Sequence, residues 1–268
     1  MKKTGDFLTY DDLPLWSAPF GLTLLDTVKL KHPVNVLDIG SGGGFPMLEL
    51  AERLGTGCMV YGVDPSPDAG KMIRIKSRLK EITNIKIIKC GAEELPFENG
   101  FFGLIISNNG LNNVKDPAKV LKECYRTADK DCQLVLTMNL PHTFVEFYDV
   151  FEDILSGTEM TDVIGKMHDH IYSKRKPVEW WKNLIPENGF RINSINLDGF
   201  KYRYSTAAAF LNHFLIRKYF LPSWKAIIPV GHREKIFSEI ETRLNELSRQ
   251  NGFLEMSVPF VCFDCSKG

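Results

Sequence analysis

Two carboxylates and a run of glycines carry the first legible chemistry. Val36-Leu37-Asp38-Ile39 is an apolar run that reaches an acid, and Gly40-Ser41-Gly42-Gly43-Gly44 follows it directly. Such a run, breaking into glycines, reads as a buried parallel strand ending in a tight loop, where backbone can come close to a ligand. A second acid, Asp64, closes the next strand-like run, Val60-Tyr61-Gly62-Val63, 24 positions beyond Gly40. That is near the spacing at which a nucleotide fold places the carboxylate that takes hydrogen bonds from both ribose hydroxyls. The plainer readings are a glycine-rich turn with no ligand and, for Asp64, a helix N-cap.

The glycine pattern separates two ligands. A dinucleotide loop, Gly-x-Gly-x-x-Gly, would put its third glycine at position 45, and that position is Phe. The chain instead has Asp38-x-Gly40-x-Gly42-x-Gly44. This resembles the first motif of the class I S-adenosylmethionine (AdoMet)-dependent methyltransferases, type 11 domain. The resemblance implies a loop that cradles a methionine and a ribose, with Asp38 handling the methionine ammonium directly or through water. It implies AdoMet as cofactor and S-adenosylhomocysteine as product.

Two further segments extend the resemblance over about residues 33–140. Cys90-Gly91-Ala92-Glu93-Glu94-Leu95-Pro96-Phe97 resembles the family's third motif, whose loop closes on the adenine edge. Gly91 stands where the family usually has an acid, so adenine contacts are expected from backbone at Ala92 and from Glu93. Gly110-Leu111-Asn112-Asn113-Val114-Lys115-Asp116 resembles a segment of the ubiquinone/menaquinone-type C-methyltransferases, with one extra residue before the glycine. The cofactor-binding residues expected are Asp38, Gly40, Ser41, Gly42, Asp64, Pro65, Ala92, Glu93, Ser107 and Asn108. Ser107-Asn108-Asn109-Gly110 is not the Asn/Asp-Pro-Pro-aromatic segment that holds a nitrogen lone pair in amino-methylating enzymes. That points away from a nucleic-acid substrate and toward a small, partly apolar acceptor methylated on carbon or oxygen.

The implied chemistry asks little of the protein. The cofactor brings the activated methyl group; the chain must align a nucleophile and exclude water. A phenol or enol-like carbon gains from a base. His142 is expected in that catalytic role because it follows the fifth strand, whose C-terminal end faces the ligand crevice. Tyr148 is the second catalytic candidate, and His168 and His170 read as packing or surface. Trp16, Phe20, Phe144, Phe147, Tyr148, Phe151, Trp180 and Trp181 could wall a pocket for a flat or greasy substrate. Phe144, Phe147, Tyr148 and Phe151 also recur at helical spacing, which suits plain core.

The elements that must hold these residues alternate. Strands are expected at about 58–64, 85–90, 104–107 and 134–137, besides the one before Gly40. Between them, Met47, Leu50, Ala51 and Leu54 mark one helix, with Pro46 in its first turn and Gly55 as its stop. Met72, Ile75, Leu79 and Ile82 mark the next, and Val120, Leu121, Cys124 and Tyr125 a third. The alternation predicts an α/β, doubly wound, mostly parallel seven-stranded sheet with a helical lid. The family resemblance implies that the last strand, about 254–263, lies antiparallel between strands five and six. The divisions expected are an N-terminal cap at 1–32, an AdoMet-binding core at 33–140, a helical insertion at 141–188, and completing strands and helices at 189–268. Aromatics mark the change: six lie between 21 and 139 and sixteen between 140 and 228.

Bulk properties bound the rest. A chain of 268 residues, 44% hydrophobic, can build one sizeable core. Lys+Arg and Asp+Glu are both 33, which gives no sign of polyanion binding overall. The short basic run Lys174-Arg175-Lys176 reads as a solvated helix end. There is no apolar run long enough for a membrane span and no signal-peptide pattern at the start. The six cysteines are scattered, and the lone Cys262-x-x-Cys265 has no second ligand pair. They are expected as buried thiols in a reducing cytoplasm, with no metal. Two alternatives stand beside the methyltransferase: an NAD-dependent oxidoreductase, disfavoured by Phe45 and by Asp38 before the loop, and a non-catalytic AdoMet-binding or interaction protein; aromatics that are exposed and do not wall a pocket could form a homodimer face.

Overall fold

The computed structural model describes residues 15–31, 34–158 and 160–268. Residues 1–14 of the expected N-terminal cap, with Phe7 and Tyr10, lie outside the described residues. Helix α1 (Ala18–Thr27) buries Phe20, Leu24 and Leu25. There follow β1 (Asn35–Ile39), α2 (Met47–Leu54), β2 (Met59–Val63), α3 (Pro67–Leu79), β3 (Ile85–Ile88), β4 (Phe102–Asn108), α4 (Pro117–Thr127) and β5 (Ala128–Asn139). Then come α5 (Val145–Ser156), α6 (Thr161–Lys174), α7 (Val178–Glu187), β6 (Phe190–Tyr204), α8 (Ala207–Asn212), α9 (Leu221–Ile227), α10 (Arg233–Asn251) and β7 (Leu254–Lys267).

The seven strands form one sheet in the order β3-β2-β1-β4-β5-β7-β6. β1 pairs in parallel with β2 on one side and with β4 on the other, Asp38 lying opposite both Gly62 and Ile106. The chain thus leaves β1 in opposite directions across the sheet, which opens a crevice at the strand ends where such folds take ligands. β7 runs against its neighbours. Gln133 reaches Asp264 while Leu140 donates to the Pro259 carbonyl, and Arg191 reaches Ser266 while Arg203 reaches Glu255. In each pair one number rises as the other falls, so the last strand is antiparallel and lies where it was expected.

Around β1 the core is aliphatic. Val36, Val60, Leu104, Ile106 and Val135 from the sheet pack with Leu24 and Leu25 of α1 and with Met47, Leu50, Ala51 and Leu54 of α2. The expectation for α2 therefore holds residue by residue, although Pro46 is its N-cap and not its first turn. The expectation for α3 does not. Met72, Ile75 and Leu79 are 45%, 54% and 40% exposed, and the buried side carries Ala69, Gly70, Ile73, Lys76 and Ser77. Small residues let α3 lie close to the sheet: a Cβ on Gly70 would stand 3.4 Å from the Ile87 side chain.

The chain divides into two compact units. Of the described residues, one unit comprises those up to 138 with 178–198 and 260–268, and the other those in 139–177 and 199–259. Helix α7, expected within the insertion at 141–188, belongs to the first unit, while 199–259 falls in the second. The second unit has an aromatic core in which Phe147 stacks on Trp224 at a ring separation of 4.0 Å and Phe144 packs edge-on to Phe210. Between β6 and α10 the helical run is broken: α8 ends at Asn212 and a π turn at Ile216–Phe220 precedes α9.

Candidate functional site

The loops at the ends of β1, β2 and β4 and the loop after β3 enclose a cavity of about 660 Å³ within the first unit. Gly40, Ser41, Gly42 and Gly43 form one wall, Asp64 and Pro65 a second, and Gly91, Ala92 and Glu93 a third. Asn108, Asn109, Gly110 and Lys115 close the β4 side, with Trp16 and Ser17 opposite. Eight of the ten cofactor-binding residues expected from sequence line this one space. The other two, Asp38 and Ser107, lie buried beneath it, at 1% and 0% exposure.

Asp64 does two jobs. Its Oδ2 accepts from the Gly42 amide at 3.1 Å and its Oδ1 from the Ser66 amide at 2.8 Å. Each oxygen keeps a second lone pair, so the carboxylate can hold the glycine loop in place and still accept from a vicinal diol.

Asp38 is a different case. Neither of its oxygens nor the Ser41 hydroxyl has a protein hydrogen bond of good geometry, although all three atoms are buried. Burial, reinforced by the nearby Asp64 charge and only partly offset by the Met47 amide, pushes the Asp38 carboxyl from 3.8 up to about 7. A buried carboxyl this poorly hydrogen-bonded is costly. An ammonium group reaching it, directly or through one water, would supply the missing charge and hydrogen bonds. These residues therefore fit AdoMet: an acid for its amine, an acid for its ribose, and a loop without side chains between them.

The walls are braced by contacts that sequence reasoning missed. Ser107 donates to the Ile39 carbonyl at 2.9 Å, tying β4 to β1. Asn108 donates to the Ser17 carbonyl at 3.1 Å and accepts from Thr137. Gly40 and Gly110 face each other: a Cβ on Gly110 would stand 2.6 Å from both the Ile39 carbonyl and the Ser107 hydroxyl. Phe45, which broke the dinucleotide pattern, lays its ring where a side chain on Gly21 would otherwise be. Glu93, expected at the adenine, accepts from the Lys115 amide at 3.1 Å. Asp116 caps α4 by accepting from the Lys119 amide. Leu95-Pro96-Phe97 is held from α4: Glu123 accepts from the Leu95 amide, and Arg126 donates to the Leu95 and Phe97 carbonyls. Lys76 also lines the cavity, and its place on the wrong side of the expected α3 stripe hid it.

The two expected catalytic residues lie in the second unit and do not line this cavity. His142 lines a different one, beside Lys201, Arg203 and Ser257. Tyr148 is buried, and its hydroxyl accepts from Trp224 Nε1 at 2.8 Å and faces an Arg175 nitrogen at 3.5 Å. Arg175 corrects the reading of the basic run as solvated: it is 4% exposed, its guanidinium lying over the Tyr148 and Phe220 rings. Of the expected aromatic wall, Trp16 lines the cavity while Phe144, Phe147 and Phe151 are core of the second unit. Five of the six cysteines are buried, Cys90 is half-buried, and all six are free thiols. No group of three or more metal-ligating side chains occurs among the described residues. No helix among them is long and apolar enough to cross a membrane.

Comparison with known proteins agrees with this geometry. Residues 37–136 match the family model described as a methyltransferase domain. A demethylmenaquinone methyltransferase of Listeria welshimeri is 33% identical over 107 residues, covering 40% of this chain and 45% of the relative. The chain thus spans about half the length of the curated relatives it matches. Among solved structures, a Bacillus halodurans protein provisionally assigned as a methyltransferase superposes with TM-score 0.62 at 18% identity, over 92% of this chain and 98% of that one. A geranyl diphosphate methyltransferase in complex with SAM (AdoMet) gives 0.57 at 16%, over 94% and 85%. At such identities these likenesses speak for the fold. With the glycine loop, both acids and the sheet order in place, residues 37–136 are a methyltransferase domain.

Proposed function

We propose that this chain is an AdoMet-dependent methyltransferase acting on carbon or oxygen of a small, partly apolar acceptor, with a quinol precursor as the leading acceptor class. The observation that carries the cofactor is the pairing of a buried, unsatisfied Asp38 with a ribose-competent Asp64 across a glycine loop. The similarity of residues in this domain to a demethylmenaquinone methyltransferase supports the acceptor class.

AdoMet, when bound, brings a methyl group already activated on sulfur. The chain's part is to bind and orient. Asp38 takes the ammonium end, Asp64 the ribose, and backbone at Ala92 the adenine edge, with Glu93 tying that loop to the Lys115 amide. The glycine loop brings main chain, not side chains, against the ligand. Of the two candidate bases His142 is the stronger, since it lines a cavity. The Tyr148 oxygen is already engaged by Trp224.

Calorimetric titration with S-adenosylhomocysteine, with NAD in parallel, tests the cofactor. Binding of the first at micromolar concentration without the second supports the reading and justifies a screen of quinol and phenol acceptors. Binding of NAD alone would remove it.

A further inference from the structure

The segment from Ala69 to Lys80, Ala-Gly-Lys-Met-Ile-Arg-Ile-Lys-Ser-Arg-Leu-Lys, contains five cations and no acid in a protein whose net charge is zero. It forms most of α3. At about 100° per residue, Met72, Ile75 and Leu79 fall within an arc of about 60° on the helix surface. Lys71, Arg74 and Arg78 fill the adjoining arc of similar width. The apolar three are 45%, 54% and 40% exposed, and the cationic three are exposed as well. No carboxylate pairs with Arg74 or Arg78 among the described residues. Lys71 meets Asp68 in an exposed pair, which water screens and which contributes little. Lys80, on the other flank, is engaged by Glu52 and is not counted.

Apolar side chains at this exposure, in a row and beside a row of cations, are not explained by the core. That side of the helix contributes nothing to it; Ala69, Gly70 and Ile73 pack inward instead. A stripe of medium-sized apolar side chains edged by long cations is the pattern that lies in the plane of a bilayer. The apolar side chains enter the acyl boundary while Lys and Arg reach the headgroups. The charge complement is anionic lipid, since each cation near such a surface adds its own attraction. A nucleic acid would match the cations but leave Met72, Ile75 and Leu79 without a partner.

We propose that the outer face of α3 docks on the surface of an anionic phospholipid bilayer, with Met72, Ile75 and Leu79 inserted and Lys71, Arg74 and Arg78 at the headgroups. This goes beyond the reaction and does not depend on it. The protein would be held at the membrane by a peripheral contact, reversible and sensitive to salt.

Co-sedimentation of the full chain with vesicles tests this. Phosphatidylcholine vesicles with about one third phosphatidylglycerol should pull the protein down, and pure phosphatidylcholine should not. Reversing Lys71, Arg74 and Arg78 to Glu should lower partitioning by about tenfold or more. Replacing Met72, Ile75 and Leu79 with Ser should lower it too, with far-ultraviolet circular dichroism unchanged because all six side chains lie outside the core. Failure to bind the anionic vesicles would overturn the proposal. So would unchanged binding in the charge-reversed chain. Binding that survives the Ser changes, and is matched by binding to RNA, would make the face a general polyanion site and overturn it equally.

Discussion

The Gly42 amide donates to Oδ2 of Asp64 across 3.1 Å, so the loop after β1 and the acid after β2 hold each other in shape. The residue proposed to take the ribose is also the residue that sets the loop. Asp64→Ala should therefore weaken S-adenosylhomocysteine by more than the loss of ligand contacts alone. Hydrogen bonds to a charged group contribute about 1.5–3 kcal/mol each, so two lost bonds predict a drop of about 100-fold or more. Asp64→Asn keeps one acceptor oxygen and should fall between wild type and Ala. Calorimetry checks both. Equal affinity of Asn and wild-type proteins would remove the two-oxygen reading.

Asp38 predicts a dependence of stability on pH. Its carboxyl holds a proton up to about pH 7 in the fold but releases it near 3.8 when unfolded. Between those values the unfolded chain binds fewer protons than the native one, so stability falls as pH rises. The full effect corresponds to on the order of 4 kcal/mol. The ligand-free protein should melt at lower temperature at pH 8 than at pH 5, and Asp38→Asn should flatten this difference. An ammonium ligand favours the ionised acid, so S-adenosylhomocysteine should raise the melting temperature more at pH 8 than at pH 5. Parallel slopes for Asp38→Asn and wild type would place the titration elsewhere.

Those two acids were legible in the sequence because strand ends and glycine spacing have few physical solutions. The doubly wound sheet was legible in the alternation of strands and helices, and the antiparallel place of β7 only through family resemblance. The outward stripe of α3 was not. Met72, Ile75 and Leu79 recur at helical spacing as core residues do, and periodicity reports that an apolar face exists without saying what covers it. Ala69 and Gly70, small enough to let the helix settle on the sheet, were the competing signal. The pairing of Gly40 with Gly110 was hidden as well, because the two are distant in the chain and meet only once β1 and β4 are side by side.

Tyr148 offers a test that separates packing from chemistry. Its hydroxyl satisfies the Trp224 indole N–H in the core of the second unit. Tyr148→Phe leaves that donor buried without an acceptor, which costs about 1–3 kcal/mol. Chemical denaturation should show the loss. If Tyr148 serves packing alone, turnover on an identified acceptor should stay near wild type, while His142→Ala slows turnover with cofactor affinity retained. A large fall in turnover for Tyr148→Phe at undiminished stability would return the phenol to the catalytic role.

Two glycine substitutions should act in opposite directions. A Cβ at position 110 would stand 2.6 Å from the Ile39 carbonyl and from the Ser107 hydroxyl. Neither can retreat easily, since Ser107 donates to that same carbonyl and thereby joins β4 to β1. Gly110→Ala should therefore force the two loops apart, cost about 1–3 kcal/mol of stability, and weaken S-adenosylhomocysteine because the shifted loop is the cavity wall. Gly165, within α6, has nothing within 4 Å of its added Cβ. Gly165→Ala should stabilise by about 0.4–1 kcal/mol through the unfolded chain and leave ligand affinity alone. Thermal melts with and without S-adenosylhomocysteine read both. If Gly110→Ala binds and melts like wild type, the close approach of the β1 and β4 loops is not what shapes the cavity.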